Sequence, residues 1–129
     1  MTNYKLQGQL EISPKQARNL PSRVTLGKQS PFVQFELGKI TKKTRVDKRG
    51  GRTPSWKELI NFDIYSECRN LIVKLYNDKG KSPDDYIGEL LIDLGPIIEA
   101  RERDSWYPLK DRDQHCGDIY LEITYYPAD

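Results

Sequence analysis

The chain has 129 residues, of which 31% are charged and 36% are hydrophobic, and its formal net charge at pH 7 is +2. This length is typical of one domain with one core. The composition excludes a membrane-spanning helix, which needs about 18 consecutive apolar residues. The first residues lack the apolar core of a signal peptide, so we expect a cytoplasmic protein.

Apolar and polar residues alternate in five segments of the chain, and this period of two predicts strands with one buried face. In chain order, the apolar positions are Leu6, Gly8, Leu10 and Ile12; Val33, Phe35 and Leu37; Ile60, Phe62 and Ile64; Leu71, Val73 and Leu75; and Ile119, Leu121, Ile123 and Tyr125. Turn-forming segments rich in Gly, Pro, Asn and Asp separate them, which favours an antiparallel sandwich over βαβ units. One short helix is predicted near residues 96–103, because Pro96 suits a first helical turn.

Five motifs resemble those of C2 domains in their order and spacing. They are ARNLP, GKQSPFVQF, TKKTRV followed by RTPSWKELINFDI, LIVKLYND, and DDYIGELLIDL. The resemblance implies an all-β fold, an eight-stranded antiparallel β-sandwich with two sheets of four strands. Because GDIYLEITYY closes the chain, it also implies the type II topology, in which the strand that comes first in the other topology comes last. We expect residues 1–129 to form a single C2 domain, either alone or as the N-terminal part of a longer protein.

Three segments are most similar to the N-terminal C2 domains of fungal ingression proteins: KGKSPDDYIGELLIDL, DSWYPLK and GDIYLEITYYP. This resemblance implies an adaptor in cytokinesis that couples constriction of the actomyosin ring to membrane ingression and septum formation. It also implies cytokinetic ring proteins as partners, and a location at the plasma membrane and the division site. In that family a Pro-rich tail recruits SH3 domains, and the chain has no P-x-x-P motif. We therefore expect SH3 partners only through a tail outside this sequence, and a monomer.

In C2 domains, five aspartates from two loops hold calcium, since this hard cation needs six to eight oxygen ligands. By the family motifs, those positions fall on Val24, Ser30, Asn77, Lys79 and Asp85. One carboxylate out of five is left, and Lys79 places an ammonium group where a ligand belongs. The chain is therefore predicted to bind no calcium, and we expect no other metal and no cofactor. Zinc sites need about four Cys or His ligands, and the chain offers Cys68, Cys116 and a single histidine, His115. We therefore expect no zinc site and expect both thiols to be reduced.

Basic residues are concentrated between Gly38 and Lys57, where eight of them accompany one acid, so that this segment carries +7 and the rest of the chain −5. A segment of one sign indicates an anionic partner, and anionic phospholipid is favoured over nucleic acid or an acidic protein. Strand alternation directs Lys43 and Arg45 to one face and Lys42 and Thr44 to the other. The candidate lipid-binding residues are Lys39, Lys42, Lys43, Arg45, Lys48 and Arg49, together with Val24 and Leu26 as apolar loop residues for insertion.

Each part of this candidate site has an alternative interpretation without lipid binding. The basic segment could serve as a solvated edge strand that prevents aggregation, and Leu26 could pack beneath its own loop. In C2 domains that bind phosphoinositides, lysines of two neighbouring strands form a groove with aromatic residues. Lys43 and Arg45 match that pattern and Tyr76 supplies an aromatic ring, but Gln34 and Glu36 occupy the lysine positions of the neighbouring strand. We therefore expect general attraction to anionic lipid.

Catalytic motifs are absent from the sequence, and His115 beside Cys116 is an adjacency in a polar turn without a recognisable third partner. We predict a non-catalytic, calcium-independent C2 module that binds anionic membranes. The alternative is a C2 domain that acts mainly as a scaffold for proteins without significant lipid binding.

Overall fold

The computed structural model describes residues 5–65 and 69–129, and the expectation for Cys68 lies outside these ranges. The described residues form eight strands and one helix. These are β1 (Leu6–Arg18), β2 (Pro31–Leu37), β3 (Ile40–Lys43), β4 (Ile60–Tyr65), β5 (Asn70–Asn77), β6 (Asp85–Asp93), α1 (Gly95–Ala100), β7 (Glu102–Asp111) and β8 (Gln114–Pro127).

The strands pair in the order β3-β2-β5-β6-β7-β8-β1-β4, and every pairing is antiparallel. Strands β6 and β7 share one residue pair, Glu89 with Lys110. The fold is therefore a sandwich of two four-stranded sheets that are joined at this single seam. Strand β8 lies between β7 and β1, so the last strand of the chain pairs with the first. This arrangement confirms the predicted all-β sandwich and its type II topology.

The core lies between the two sheets and is filled by the alternating apolar residues that predicted the strands. Leu10, Ile12, Phe35 and Ile64 are all fully buried. Trp56, from the loop before β4, closes one side, and its indole N–H donates a hydrogen bond to Pro31 O at 3.2 Å. Burying the indole contributes a large apolar area, and the hydrogen bond to Pro31 offsets the desolvation of its N–H group.

A short helix was predicted near residues 96–103, and the structure contains it, but the predicted C-terminal end is wrong. Helix α1 ends at Ala100, and Arg101 adopts a left-handed conformation with φ of 77°. The carbonyl of Arg101 accepts a hydrogen bond from Tyr125 N at 2.7 Å, and Glu102 then pairs with Thr124 in β8. Pairing with a long neighbouring strand satisfies the backbone of these residues, and it overrides the helix propensity of the Glu and Arg residues.

The loops of the sandwich define two ends. The loop end is formed by three loops, residues 19–30 between β1 and β2, 44–59 between β3 and β4, and 78–84 between β5 and β6, together with the turn at 112–113 between β7 and β8. The far end carries α1 and the turn at 38–39 between β2 and β3. In the described ranges, no helix has both the length and the apolar character needed to cross a membrane.

Candidate functional site

The five positions that correspond to calcium ligands lie at the loop end, and four of them are tied together within the protein. Asn77 is buried, its Oδ1 accepts a hydrogen bond from Ser30 N at 2.6 Å, and its Nδ2 donates to Asp85 Oδ2 at 3.1 Å. The ammonium of Lys79 lies 3.5 Å from the other oxygen of Asp85. Both oxygens of the single carboxylate are thus engaged by protein groups, and its charge is neutralised by Lys79.

We expect millimolar calcium to leave the melting temperature unchanged, because one carboxylate that is already paired with an ammonium cannot supply a ligand set. A protein that binds calcium at this site would gain RT ln(1 + [L]/Kd) of stability. Scanning calorimetry with calcium, with magnesium and with chelator measures this. As a matched comparison, the variant Val24→Asp, Ser30→Asp, Asn77→Asp and Lys79→Asp should melt lower in chelator and recover with calcium. A rise of several degrees in the unmodified chain would contradict the prediction.

A second polar group at the loop end, Gln29, was not among the sequence candidates. Its side chain is 1% exposed, and its Nε2 donates to Pro21 O at 2.8 Å and to Gly51 O at 3.1 Å. Its Oε1 accepts a hydrogen bond from Arg23 N at 2.9 Å. Gln29 thereby fastens the loop 19–30 to the loop 44–59, since Gly51 belongs to the second of them. The two loops are therefore joined into one surface.

The outer surface of this end is basic with an apolar tip. Leu26 is 89% exposed, so the alternative that it packs beneath its own loop is wrong, while Val24 is half-buried. Lys28 and Arg49 are exposed nearby, with the side chain of Lys28 extending over Gly51. The three loops together contain nine cations and four carboxylates, a net charge of +5 within a chain of +2. The positive charge of the chain is therefore concentrated at the loop end.

The candidate basic residues of the sequence do not share one surface. Lys48 and Arg49 lie at the loop end with Val24 and Leu26, whereas Lys39 lies in the turn at the far end. A strand of seven residues spans roughly 23 Å, so Lys39 is remote from the tip.

Between these ends, the cations of β3 and the residues after it have separate partners. Lys42 Nζ donates to Asn61 O and lies 5.2 Å from the ring centroid of Phe62. Lys43 instead lies 5.7 Å from the ring of Phe32, which agrees with the predicted alternation. Arg45, which follows β3, has its Nε 3.6 Å from Glu58 Oε1, and its side chain remains 87% exposed, so this weak surface ion pair leaves it accessible to an anionic partner.

The outer face of β2 and β5 contains the aromatic groove that the family pattern predicts. Phe32 stacks on Tyr76 at 5.7 Å between centroids. Glu36 lies on the same face and binds Lys74 Nζ at 3.2 Å. Hydrogen bonds from Gln34 and then from Lys74 lower the pKa of Glu36, so it stays negatively charged at neutral pH. A fixed carboxylate and a lysine already paired with it make this groove unfavourable for a multiply charged inositide.

Comparison with known proteins identifies the family. The sequence model of the C2 domain family matches residues 8–109. The chain belongs to the C2 domain family. The C2 domain is 28% identical over 123 residues to the ingression protein fic1 of Schizosaccharomyces pombe. The alignment covers 95% of the chain and 45% of fic1. It is also 30% identical over 129 residues to synaptotagmin-5 of Arabidopsis thaliana, covering 93% of the chain and 23% of that protein. The C2 domain thus spans less than half the length of both relatives.

Two solved structures have the same fold. A structure of two C2 domains of extended synaptotagmin 2 superposes with a TM-score of 0.83 at 25% identity, covering 97% of the chain and 43% of that structure. A C2 domain-containing protein from a putative elicitor-responsive gene gives a TM-score of 0.83 at 23% identity, covering 100% of the chain and 96% of that structure.

The adjacent His115 and Cys116 of the C2 domain are engaged separately. His115 Nε2 lies 3.0 Å from Asp118 Oδ1, and Arg18 Nε lies 3.3 Å from the other oxygen of Asp118. Burial raises the pKa of the Cys116 thiol, which keeps it protonated and weakly nucleophilic at neutral pH. Cys116 packs on Gly88, where any side chain would collide with its sulfur, so the thiol has a packing role.

Proposed function

We propose that this C2 domain is a non-catalytic module that binds anionic phospholipid at the plasma membrane without calcium, through its loop end. The observation that supports this most directly is Leu26, an 89% exposed leucine at the tip of a loop whose surroundings are cationic. An exposed apolar side chain beside cations suits the boundary between headgroups and acyl chains, where each group has a favourable partner.

The proposed contact combines two modest contributions. Each basic residue near an anionic leaflet contributes about 1 kcal/mol, and burying a leucine contributes roughly 1.5–3 kcal/mol. Because Gln29 joins the two loops by hydrogen bonds to Pro21 and Gly51, their relative position is set before the contact forms, which lowers the ordering cost of binding. The ammonium of Lys79 lies beside Asp85, where a calcium ion would lie in a calcium-binding C2 domain. The positive potential of the loop end therefore does not depend on calcium. Binding of this kind is reversible and sensitive to salt.

The proposed cellular role is that of an adaptor in cytokinesis, which couples ring constriction to membrane ingression and septum formation. The similarity to the ingression protein fic1 supports it. In this role the C2 domain supplies the membrane contact, and cytokinetic ring proteins bind the same adaptor. A single reversible contact becomes firm recruitment when a second attachment raises its effective concentration. We place the C2 domain in the cytoplasm, peripheral to the plasma membrane and the division site.

Replacing Leu26 with glutamate is expected to weaken binding to vesicles of phosphatidylcholine and phosphatidylserine by at least about tenfold, because it removes an inserted apolar group and adds repulsion. Ile40→Glu is the matched control, since Ile40 is 54% exposed but lies at the far end. It should bind like the unmodified domain. Sedimentation with and without phosphatidylserine, each in calcium and in chelator, measures both variants.

If the unmodified domain sediments equally with neutral and anionic vesicles, or only with calcium, the proposal is wrong. An absence of sedimentation with any vesicle at low salt would favour the alternative role, a scaffold for proteins.

A further inference from the structure

A groove of about 400 Å³ lies at the loop end, between the first two of its loops. Lys28 and Arg52 supply two cations to its lining, and Ser22 and Thr53 supply two hydroxyl groups. No carboxylate of the described residues lines it. Ligand pockets commonly have volumes of about 300–1,000 Å³. This basic groove is therefore large enough for a small anion or for the headgroup of a lipid.

The carboxylates of the loop 44–59 lie in a second groove, which Asp47 and Glu58 line together with Arg45. Asp47 Oδ2 accepts a hydrogen bond from Ser55 N at 2.9 Å, and Glu58 Oε2 accepts one from Arg45 N at 2.8 Å. Within the described residues, neither acid forms an ion pair with a cation of the basic groove. The loop thus separates its charges between two surfaces.

The two cations of the basic groove are positioned by contacts that leave their charge unpaired. Arg52 Nε donates a hydrogen bond to Leu20 O at 2.6 Å, which orients the guanidinium. Arginine has five N–H donors, so four remain for an acceptor in the groove. The stem of Lys28 extends over Gly51, where an added Cβ would lie 3.5 Å from Lys28 Cδ. Among the described residues, neither cation has an anionic partner.

The backbone of the basic groove is accessible because glycines form part of it. Gly27 and Gly51 have φ of 75° and 70°, a left-handed conformation that favours glycine. No side chain projects from these positions, so a ligand can approach the main chain closely. Gln29 joins the two walls, since it binds Arg23 N in one loop and Gly51 O in the other. The groove is therefore formed before any ligand enters.

The charge of the basic groove favours a phosphomonoester as its ligand. Such a group carries a charge of about −1.5 to −2 at pH 7 and has three strong acceptor oxygens. Two unpaired cations match this charge, and a guanidinium can bind phosphate through two parallel hydrogen bonds. The headgroup of phosphatidylserine suits the groove less well, because it includes an ammonium group that both cations would repel.

The position of the basic groove relates this chemistry to the membrane. Gly27, which lines the groove, follows the exposed Leu26 directly in the chain. If Leu26 enters the boundary between headgroups and acyl chains, the groove lies at the level of the headgroups.

We propose that the basic groove binds a phosphomonoester through Lys28 and Arg52, and that on the membrane this group is the headgroup of a lipid, of which phosphatidic acid is the simplest. This inference rests on the proposed membrane contact at the loop end. It adds selectivity between anionic headgroups to the general attraction that the cations of the loops provide.

The first test compares phosphatidylcholine vesicles that contain phosphatidic acid with vesicles that contain phosphatidylserine, adjusted to equal zeta potential. We expect about tenfold tighter binding to phosphatidic acid at about 0.1 M salt. Lys28→Gln and Arg52→Gln should each reduce this preference below about threefold. Arg45→Gln is the matched control, since it removes one charge from the same loop, from a side chain that is 87% exposed and lines the second groove. It should keep the preference.

Lys28→Gln is the decisive variant, because the Lys28 ammonium forms no ion pair among the described residues and its removal leaves the loops intact. Arg52→Gln also removes the hydrogen bond to Leu20, so its melting temperature is measured beside its binding. A preference that persists in Lys28→Gln would overturn the proposal. Equal losses of preference in Lys28→Gln and Arg45→Gln would also overturn it, because the preference would then follow net charge.

The second test uses soluble probes and needs no vesicle. Dihexanoyl phosphatidic acid, kept below its micelle concentration, is titrated into the isotope-labelled domain and should shift the amide resonances of residues 27–28 and 50–53. Dihexanoyl phosphatidylserine should shift them much less. Glycerol 3-phosphate, which has the phosphate without the acyl chains, tests whether the phosphomonoester alone is recognised, and it should shift the same residues at higher concentration.

The two tests separate the failure of this inference from the failure of the proposed membrane contact. Equal binding to both kinds of anionic vesicle, with no shifts at residues 27–28 and 50–53, would overturn the inference and leave the membrane contact standing. Shifts at these residues from both phosphate probes, without binding to any vesicle, would assign the groove to a soluble phosphomonoester and overturn the lipid source. Shifts confined to other residues would overturn the assignment of the groove.

Discussion

Replacing Gln29 with alanine is expected to lower the free energy of unfolding by about 2–4 kcal/mol. The side chain is 1% exposed and makes hydrogen bonds to three backbone groups, the carbonyls of Pro21 and Gly51 and the N–H of Arg23. Alanine would leave these groups buried without partners, at about 1–3 kcal/mol each, and water that enters the shortened site would recover part of that loss. Urea denaturation followed by fluorescence measures the change.

Gln34→Ala is the control for this prediction, because its amide binds one partly exposed partner, Glu36, at 2.7 Å. It should change the stability by less than about 0.5 kcal/mol. Gln29→Glu tests the donor function separately: a carboxylate accepts from Arg23 N but cannot donate to the two carbonyls, so it should destabilise as much as alanine. A Gln29→Ala protein as stable as the Gln34→Ala protein would show that the loops are held by other contacts.

Strand prediction succeeded where one face of a strand is buried and the other is solvated. Leu10 and Ile12 in β1 and Phe35 in β2 are fully buried, while their sequence neighbours are polar and at least partly exposed. Such strands carry the period of two in their composition. Strand β3 is exposed at all four positions, so no alternation could reveal it. The motif TKKTRV located that part of the chain, and family motifs also supplied the topology.

The end of helix α1 could not be predicted because it depends on a distant strand. Arg101 lies 24 residues from Tyr125, whose N–H binds its carbonyl at 2.7 Å. Local propensity contains no information about such a contact. Gln29 was missed for a similar reason, since a glutamine in a polar loop is expected to be solvated. Its burial follows from the approach of Gly51, in another loop.

The sequence groups the basic candidates by their position in one segment, and alternation along a strand divides them only between two faces. The chain reverses direction at residues 38–39, so Lys39 and Lys48 lie at opposite ends of the sandwich. The surface charge instead comes from three loops, and it includes Lys28 and Lys81, which lie outside the segment between Gly38 and Lys57. Each loop can be assigned to one end of the predicted sandwich from the strand order. Summing the charges of the loops at each end would then have identified these residues from sequence alone.

The triple charge reversal Lys28→Glu, Lys48→Glu and Arg49→Glu is expected to reduce binding to vesicles that contain phosphatidylserine by more than about a hundredfold. Each of these cations lies at the loop end and is worth about 1 kcal/mol near an anionic leaflet, so losing three costs roughly 3 kcal/mol. The three glutamates add repulsion of the same order. Sedimentation at about 0.1 M salt, with a repeat at about 0.5 M, measures the loss, and the difference between the proteins should shrink as salt screens the charges.

The far end offers a control with the same change in net charge, Lys5→Glu, Lys39→Glu and Arg69→Glu. All three residues are exposed and lie at the opposite ends of their strands from the loops. Both triple variants lower the formal charge by the same amount, but charges roughly 20 Å from the leaflet are about two Debye lengths away at about 0.1 M salt and are largely screened. The control should therefore bind within about threefold of the unmodified domain. Equal losses in both variants would mean that binding follows net charge and not the loop end, and Leu26 would then have no special position. If neither variant loses binding, electrostatic attraction is not the basis of membrane association, and insertion of Leu26 would have to account for it alone.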